Sequence, residues 1–528
     1  GPTMAVWKLK LFVYEEGYMT HELLYYGPPG TGKTQNISNL IRGIIEEGIP
    51  PERIACVSFT RKAASESRER VCKNLGLTED MLPYFQTLHS MAFHAGGYKR
   101  DDLVSTKDLK EIGNDVGLSF SPVNTKKNET DFDTLGISHG DQYLSMYHLA
   151  RSKRIPVEEV YRLSDNYDLM WPELKRLIRS YEAFKKARGK IDFTDMIEKF
   201  VENNQPLDID ALFVDEAQDL STLQWEMISV LRQTPRIQVF TGDDDQAIMG
   251  FQGADVRAFQ NCARTTKVLT QSYRLPQKVY EVAQTIVRRV EGRTPKVWYP
   301  TGEMGSVNWH TRLEDVPLEE GEWCLMARTN RIASLYAEML REQGWVFSRF
   351  GHPSIPPKMY EAILDWQSWC KGQSLSPVQV RNIYSFMEVE QGFRRMYGPR
   401  SKNLLDLEED CQVSMEHARM MLGLLAPSGI WHEQLTKVDT DNKHYILNAL
   451  KRGDNVKNPR IKVSTIHSMK GGECDNVLLI PDLSYAAYKE YRTNPSTEHR
   501  VFYVGVTRTK QNLHLMEPII DSKRYYEI

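Results

Sequence analysis

The sequence predicts an α/β fold built from two parallel-sheet cores, each carrying a mostly helical insertion, and three observations predict it. Short apolar runs bounded by turn residues recur at 53–59, 211–215, 237–243, 323–328, 461–467 and 476–483. Alternating with helix-periodic stretches, such runs are the pattern of buried parallel strands. The runs form two groups, one before about residue 275 and one after about residue 300. Each group is interrupted by a long stretch with little strand character, at 93–188 and 352–455, the first containing a loose segment at 119–136. A chain of 528 residues is too long for one ordinary core. The expected division is a first core at 1–92 and 189–275, its insertion at 93–188, a second core at 276–351 and 456–528, and its insertion at 352–455. No internal repeat is visible.

The first core opens on Gly27-Pro28-Pro29-Gly30-Thr31-Gly32-Lys33-Thr34, which fits a phosphate-cradling P-loop without a mismatch. In such a loop glycines let successive backbone N–H groups point at a polyphosphate, the lysine adds a point charge, and the threonine hydroxyl is a ligand for Mg²⁺. The flanks agree: His21 to Tyr26 reads as a strand, and Ile37, Leu40, Ile41, Ile44 and Ile45 repeat at helical spacing. A phosphate would sit at a helix N-terminus, where orphan N–H groups favour an anion. Gly30, Thr31, Gly32, Lys33, Thr34 and Gln35 are therefore candidate nucleotide-binding residues, with a nucleoside triphosphate and Mg²⁺ the expected ligands.

The next strand ends in Phe213-Val214-Asp215-Glu216-Ala217-Gln218-Asp219. Asp215 at the strand tip suits the Mg²⁺ shell beside Thr34, and Glu216 is placed to polarise an attacking water. A third element follows, Thr241-Gly242-Asp243-Asp244-Asp245-Gln246-Ala247-Ile248, then Met249-Gly250-Phe251-Gln252-Gly253-Ala254-Asp255.

With these three elements in order, the chain resembles the UvrD/Rep-like group of superfamily 1A DNA helicases, and the resemblance runs through nearly its whole length. Phe59-Thr60-Arg61-Lys62-Ala63-Ala64 is similar to that family's motif Ia, and Thr87-Leu88-His89-Ser90 to its Ib element. Asp192-Phe193-Thr194-Asp195-Met196-Ile197 resembles the element that closes the first insertion. Gln271-Ser272-Tyr273-Arg274 resembles motif IV, and Ala327-Arg328-Thr329-Asn330 the signature of the next strand. Thr465-Ile466-His467-Ser468-Met469-Lys470-Gly471-Gly472-Glu473 is similar to motif V, and Tyr503-Val504-Gly505-Val506-Thr507-Arg508-Thr509-Lys510 to motif VI.

The resemblance implies two RecA-like cores (1A and 2A) with helical insertions (1B and 2B), and roles residue by residue. Lys33, Asp215, Glu216, Gln246, Arg274 and Arg508 form the catalytic set: Gln246 senses the γ-phosphate, and Arg274 and Arg508 are arginine fingers from the second core. Tyr273 stacks on the base and Glu473 holds the ribose. Planar guanidinium groups suit the spreading charge of phosphoryl transfer, and supplying them from the opposite core makes turnover depend on closure. The implied DNA track runs over Phe59, Thr60, Thr87, His89, Ser90, Met249, Phe251, Gln252, Thr465 and His467. Aromatic faces stack on any base, and hydroxyls hold phosphates without reading sequence. Phe251 on one core and His467 on the other are expected to grip alternately.

Three departures from the family pattern carry expectations. No glutamine precedes Gln35, so the element that reads the adenine edge is missing and a looser preference for ATP over other nucleotides follows. Motif III has Met249, Phe251 and Gln252 where a Tyr, a Trp and an Arg are usual, which weakens the grip on DNA. The second insertion is short. The implied activity is that of an ATP-dependent 3′→5′ DNA helicase and single-stranded-DNA translocase. The alternatives are a translocase that displaces bound proteins without unwinding, and a slow nucleotide-gated DNA-binding switch. Expected partners are single-stranded DNA, its junctions with duplex, and a single-strand-binding or loading protein. The bulk numbers fit. Lys plus Arg is 67 against 70 for Asp plus Glu, so any nucleic-acid surface is local rather than a global basic field. Seven scattered cysteines without a CxxC pair argue for reduced thiols in a cytoplasmic setting and against a zinc module, and no apolar run is long enough to span a membrane.

Overall fold

The computed structural model describes residues 20–121, 138–164, 168–519 and 523–528. The segment ahead of the P-loop, where an adenine-reading element was sought, lies outside them before residue 20, as does most of the loose segment expected at 119–136.

Six strands make the first sheet: β1 (His21–Tyr26), β2 (Ile54–Val57), β3 (Tyr84–Gln86), β4 (Ala211–Val214), β5 (Ile237–Gly242) and β6 (Thr265–Val268). They lie in the order β3-β2-β4-β5-β1-β6, every pairing parallel. β2, β4 and β5 are buried along their whole length, because helices cover both faces. Ile37, Leu40, Ile41 and Ile44 of the helix Lys33–Glu46 pack on Tyr25, Cys56, Phe213 and Val239 on one face. Met196, Ile197, Phe200, Trp225 and Ile228 pack on Leu24, Val57, Leu212 and Phe240 on the other. The alternation of strand residues between the two clusters is the period-two signature of a pleated sheet.

The second sheet has β7 (Ser306–His310), β8 (Trp323–Ala327), β9 (Phe347–Arg349), β10 (His352–Pro353), β11 (Ile461–Thr465), β12 (Cys474–Leu479) and β13 (Thr509–Met516). Their order is β10-β9-β11-β8-β12-β13-β7, parallel except for the β9–β10 pair. The two-core α/β class read from the sequence is the observed one. The strands the apolar runs did not reveal include all four sheet edges, β3, β6, β7 and β10. An edge strand is half solvated and need not be an apolar run; β6 is Thr265-Thr266-Lys267-Val268, with its first two residues exposed and the other two half-buried.

Between β3 and β4 stand the helices Thr106–Val116, His139–Lys153, Val157–Leu163 and Trp171–Arg188, packed around Ile112, Tyr143, Leu174 and Tyr181. Between β10 and β11 a second helical group, from Pro357–Cys370 to Thr440–Arg452, closes around Trp366, Trp369, Tyr384 and Phe393. Among the described residues neither group adds a strand to a sheet. Among the described residues no helix is long and apolar enough to cross a membrane.

Candidate active site and nucleic-acid interface

The C-terminal ends of β1, β4 and β5 bring the P-loop, Asp215 and Asp243 to one edge of the first sheet, where open α/β sheets bind ligands. Gly30 and Gly32 take left-handed φ of 72° and 77°. At Gly30 the absent side chain also makes room: a Cβ there would lie 2.4 Å from that of Arg274. The segment carrying Arg274 is seated on the loop, with the Tyr273 amide donating to the Gly30 carbonyl at 2.8 Å and Ser272 Oγ to the Pro29 carbonyl at 2.8 Å.

Lys33 Nζ donates to the Gly27 carbonyl at 3.0 Å and lies 3.6 Å from Glu216 Oε1. Thr34 Oγ1 donates to Asp215 Oδ2 at 3.2 Å, and Thr241 Oγ1 to Asp215 Oδ1 at 2.7 Å. Burial, then the neighbouring Glu216, pushes the Asp215 carboxyl up. Glu216 itself has a left-handed φ of 51°, a strained setting for a non-glycine residue and one often met at functional sites. Burial works against its charge, but Lys33, Lys470, the Gln218 amide and Arg508 outweigh it and hold the carboxyl at about 2. Thr34 and Asp215 together offer a hard, oxygen-only ligand pair beside the loop, which fits Mg²⁺. Asp243, Asp244 and Asp245 also gather their carboxylates within 4.8 Å, but the Lys296 ammonium already sits among them, so that group is filled by an internal cation.

From the second core, Arg508 is buried and donates through Nη2 to Gln246 Oε1 at 3.0 Å, and through Nε and Nη1 to the Val504 and Gly472 carbonyls. Arg274 Nε donates to Glu473 Oε2 at 2.9 Å and its Nη1 to the Thr507 carbonyl at 3.2 Å. The expected ribose ligand is thus engaged with an expected arginine finger in this arrangement. Tyr273 is 78 % exposed, its ring free of the core. Gln35 is exposed, with Nε2 donating to Asn39 Oδ1 at 3.0 Å. One contributor had been passed over: Lys470 Nζ lies 2.6 Å from both oxygens of Asp219 and 2.8 Å from the Gln246 carbonyl, tying the two cores beside Glu216. Its signal was its place inside the Thr465–Glu473 motif, where only Thr465, His467 and Glu473 had been given roles.

The residues of the expected DNA track differ in exposure. Met249 is 2 % exposed, its side chain facing the interior. Phe251 and His467 are not separate grips here: their rings meet edge to face at 5.4 Å, across the two cores. His467 is buried, its Nδ1 finds no partner among the described residues, and burial, with Arg328 and Lys470, pushes it well below its ordinary value, so it is neutral. The Thr60 and Thr87 hydroxyls cap helices, accepting from the Ala63 and Ser90 amides, and Thr87 is buried. Thr465 is buried against Ser468, at 2.9 Å between hydroxyls. Phe59 is half-buried against the first core; His89 packs edge-on to Phe193; Ser90 Oγ donates to Gln86; Gln252 is half-buried. Of the ten track residues, Phe251 presents the large exposed ring, at 40 %.

A sequence model of the UvrD/REP helicase N-terminal domain matches residues 16–267, and one of the UvrD-like helicase C-terminal domain matches residues 430–517. The chain belongs to the UvrD/Rep-like helicase family. The two matched regions take in the P-loop, Asp215, Glu216, Gln246, Lys470 and Arg508, while 268–429, with Tyr273 and Arg274, lies outside both. Similar proteins include the ATP-dependent DNA helicase PcrA of Leuconostoc citreum, 25 % identical over 320 residues, or 54 % of this chain and 40 % of that protein. The putative ATP-dependent DNA helicase YjcD of Bacillus subtilis is 25 % identical over 52 % of this chain and 37 % of its own length. A probable DNA helicase II homolog of Mycoplasma capricolum is 26 % identical over 52 % of this chain and 40 % of its own. The match thus spans about two fifths of the length of these UvrD/Rep-like relatives.

Proposed function

We propose that this UvrD/Rep-like chain is an ATP-dependent motor that moves 3′→5′ along single-stranded DNA and opens duplex at a junction. The observation that carries this reading is the convergence of Lys33 and Glu216 from one core with Lys470 and Arg508 from the other, and with Arg274 at the junction between them. Phosphoryl transfer needs its spreading charge met by positioned cations, and splitting them between two bodies couples chemistry to closure. Thr34 and Asp215 would hold Mg²⁺, which supplies charge neutralisation at the phosphates. Glu216, ionised and oriented by the Gln218 amide, polarises the attacking water. Arg274 and Arg508 meet the charge that develops on the transferred group, and Gln246, hydrogen-bonded to Arg508, reports its presence. In this cycle the Arg274–Glu473 pair opens on nucleotide entry, freeing Glu473 for the ribose and leaving Tyr273 to stack on the base. The names of the relatives, ATP-dependent DNA helicases, support the substrate class.

The test is strand separation with ATP and Mg²⁺ on matched duplexes bearing a 3′ or a 5′ single-stranded tail. Opening of the 3′-tailed duplex alone is expected; opening of the 5′-tailed one alone would reverse the polarity. A second reading, a translocase that strips proteins from single strands without unwinding, is favoured by the inward-facing Met249 and the uncharged Gln252. DNA-stimulated ATP turnover without opening of either duplex selects it. Loss of all turnover in Lys33→Ala, with single-strand affinity retained, is expected under both readings; surviving turnover would remove the site assignment.

A further inference from the structure

Beyond the residues that face the nucleotide cleft, a fully buried cation sits behind them. Lys296 comes from the segment 291–299, which follows the helix Gln277–Val287 and lies back against the first core, with Thr294 Oγ1 3.1 Å from the Tyr26 hydroxyl. Its ammonium has no solvent exposure and reaches Asp243 Oδ1 at 3.2 Å, Asp245 Oδ2 at 2.9 Å and Asp244 Oδ1. Arg293 clamps Asp245 through two bonds of 2.7 and 2.6 Å, and Arg500, from the second core, donates to the Asp244 carbonyl at 2.9 Å. The three buried carboxylates thus face two cations, Lys296 and Arg293, while Arg500 bonds the backbone; burial pushes the Asp243 carboxyl up, and Lys296 is the foremost charge that opposes it.

The two oxygens of Asp243 have different employment. Oδ1 faces Lys296 and accepts from the Asp245 amide, whereas Oδ2 accepts from Gln246 Nε2 at 2.7 Å. With Nε2 committed there, Oε1 of the same amide must point the other way, and it accepts from Arg508 at 3.0 Å. An amide is nearly symmetric in shape, so what fixes its orientation is the charge of its neighbours. An ionised Asp243 accepts only; a carboxylic acid there could donate to Oε1, turn the amide, and set its N–H groups against the Arg508 guanidinium. We propose that Lys296 is a positioning residue for nucleotide hydrolysis, holding Asp243 as an anion so that Gln246 presents its carbonyl to Arg508. The proposal rests on the motor reading above. It also places a residue of the second core two links, through Asp243, behind Gln246.

The experiment is a double-mutant cycle on the full chain, reading single-strand-stimulated phosphate release at saturating and limiting ATP. Lys296→Met is expected to lower kcat by about ten- to a hundredfold while leaving KM for ATP and single-strand affinity within about twofold. In a Gln246→Ala background the same substitution is expected to cost nothing further, because the group it acts through is gone. An equal loss in both backgrounds overturns the proposal, as does a change in KM with kcat untouched. If Lys296→Met does not fold, Asp243→Ala takes its place, since it removes the acceptor and leaves Lys296 and Arg293 against Asp244 and Asp245; the same two outcomes decide. Absence of DNA-stimulated turnover in the unsubstituted chain would instead refute the motor reading, so the two failures are distinguishable.

Discussion

At the scale of single residues, Asp219 is where chemistry and pH meet. Burial pushes its carboxyl up to about 6, although Lys470 beside it pulls the other way. The carboxylate therefore loses its charge as the pH falls through about 6, and the Lys470 tie between the cores is complete above that value and lost below it. Stability runs in the opposite sense. A folded carboxyl that binds its proton above the ordinary 3.8 makes protonation favour the fold between that value and about 6, so no melting is expected from this group over the window. Glu216, held at about 2, stays ionised throughout and cannot produce an acid limb there. The expected profile is kcat/KM for ATP falling below about pH 6, and a low, flat profile for Asp219→Asn. A limb that survives in Asp219→Asn would assign the titration elsewhere. Lys470→Met, which removes the cation but not the carboxyl, should lower turnover at every pH and push Asp219 further up.

At the scale of elements, the helix Phe193–Asn203 shows how an insertion is fixed to a core. Asp192 caps it in a reciprocal box with Asp195. Lys185 then reaches Asp192 at 2.9 Å and Asp195 at 2.8 Å, and Arg151 reaches the same two carboxylates and Glu198. The cap belongs to the first core, while Lys185 and Arg151 stand on helices of the insertion. Lys185→Met leaves two carboxylates short of a buried partner and should destabilise the chain by about 3–5 kcal/mol, read from urea unfolding; an effect below about 1 kcal/mol would mean that Arg151 alone suffices. The helix His139–Lys153 carries that insertion to the loop 249–255, for a Cβ on Gly253, at φ +92°, would lie 3.3 Å from Lys153 Cγ. None of this was legible from the sequence beyond the resemblance of the 192–197 element, because the partners lie far apart in the chain. Local signals fared differently. The P-loop, Asp215 and the buried strands stood out, since turn glycines and two-sided burial leave marks within a few residues. The inward turn of Met249 was not legible, because a hydrophobic residue in a loop reads alike whether it turns in or out. The local bonds of Thr87 and Thr465 were not legible either, because a hydroxyl that caps a helix or bonds its neighbour has the same spelling as one that holds phosphate.

At the scale of the whole molecule, polar ties between the cores gather at the loop ends of β4 and β5, beside the Phe251–His467 ring contact and Ile248, which packs into the apolar cluster of the second core. Lys470 meets Asp219, Arg508 meets Gln246, and Arg500 meets the Asp244 carbonyl. Each joins a group of the second core to the loop ends of β4 or β5, so the cores are held by the same residues that surround the cleft. A machine that converts nucleotide state into motion needs such an arrangement: ties weak enough to break, placed where the ligand can replace them. Because these groups are buried, salt should loosen them little, whereas deleting the cations should. In the nucleotide-free Lys470→Ala/Arg500→Ala chain the radius of gyration from small-angle scattering is expected to rise above that of the unsubstituted protein. Adding a non-hydrolysable ATP analogue with Mg²⁺ should bring it back, since Lys33, Arg274 and Arg508 remain to close on the phosphates. An unchanged radius with lost turnover would make the ties local to the chemistry, and the closure would then have to be driven from the helical insertions.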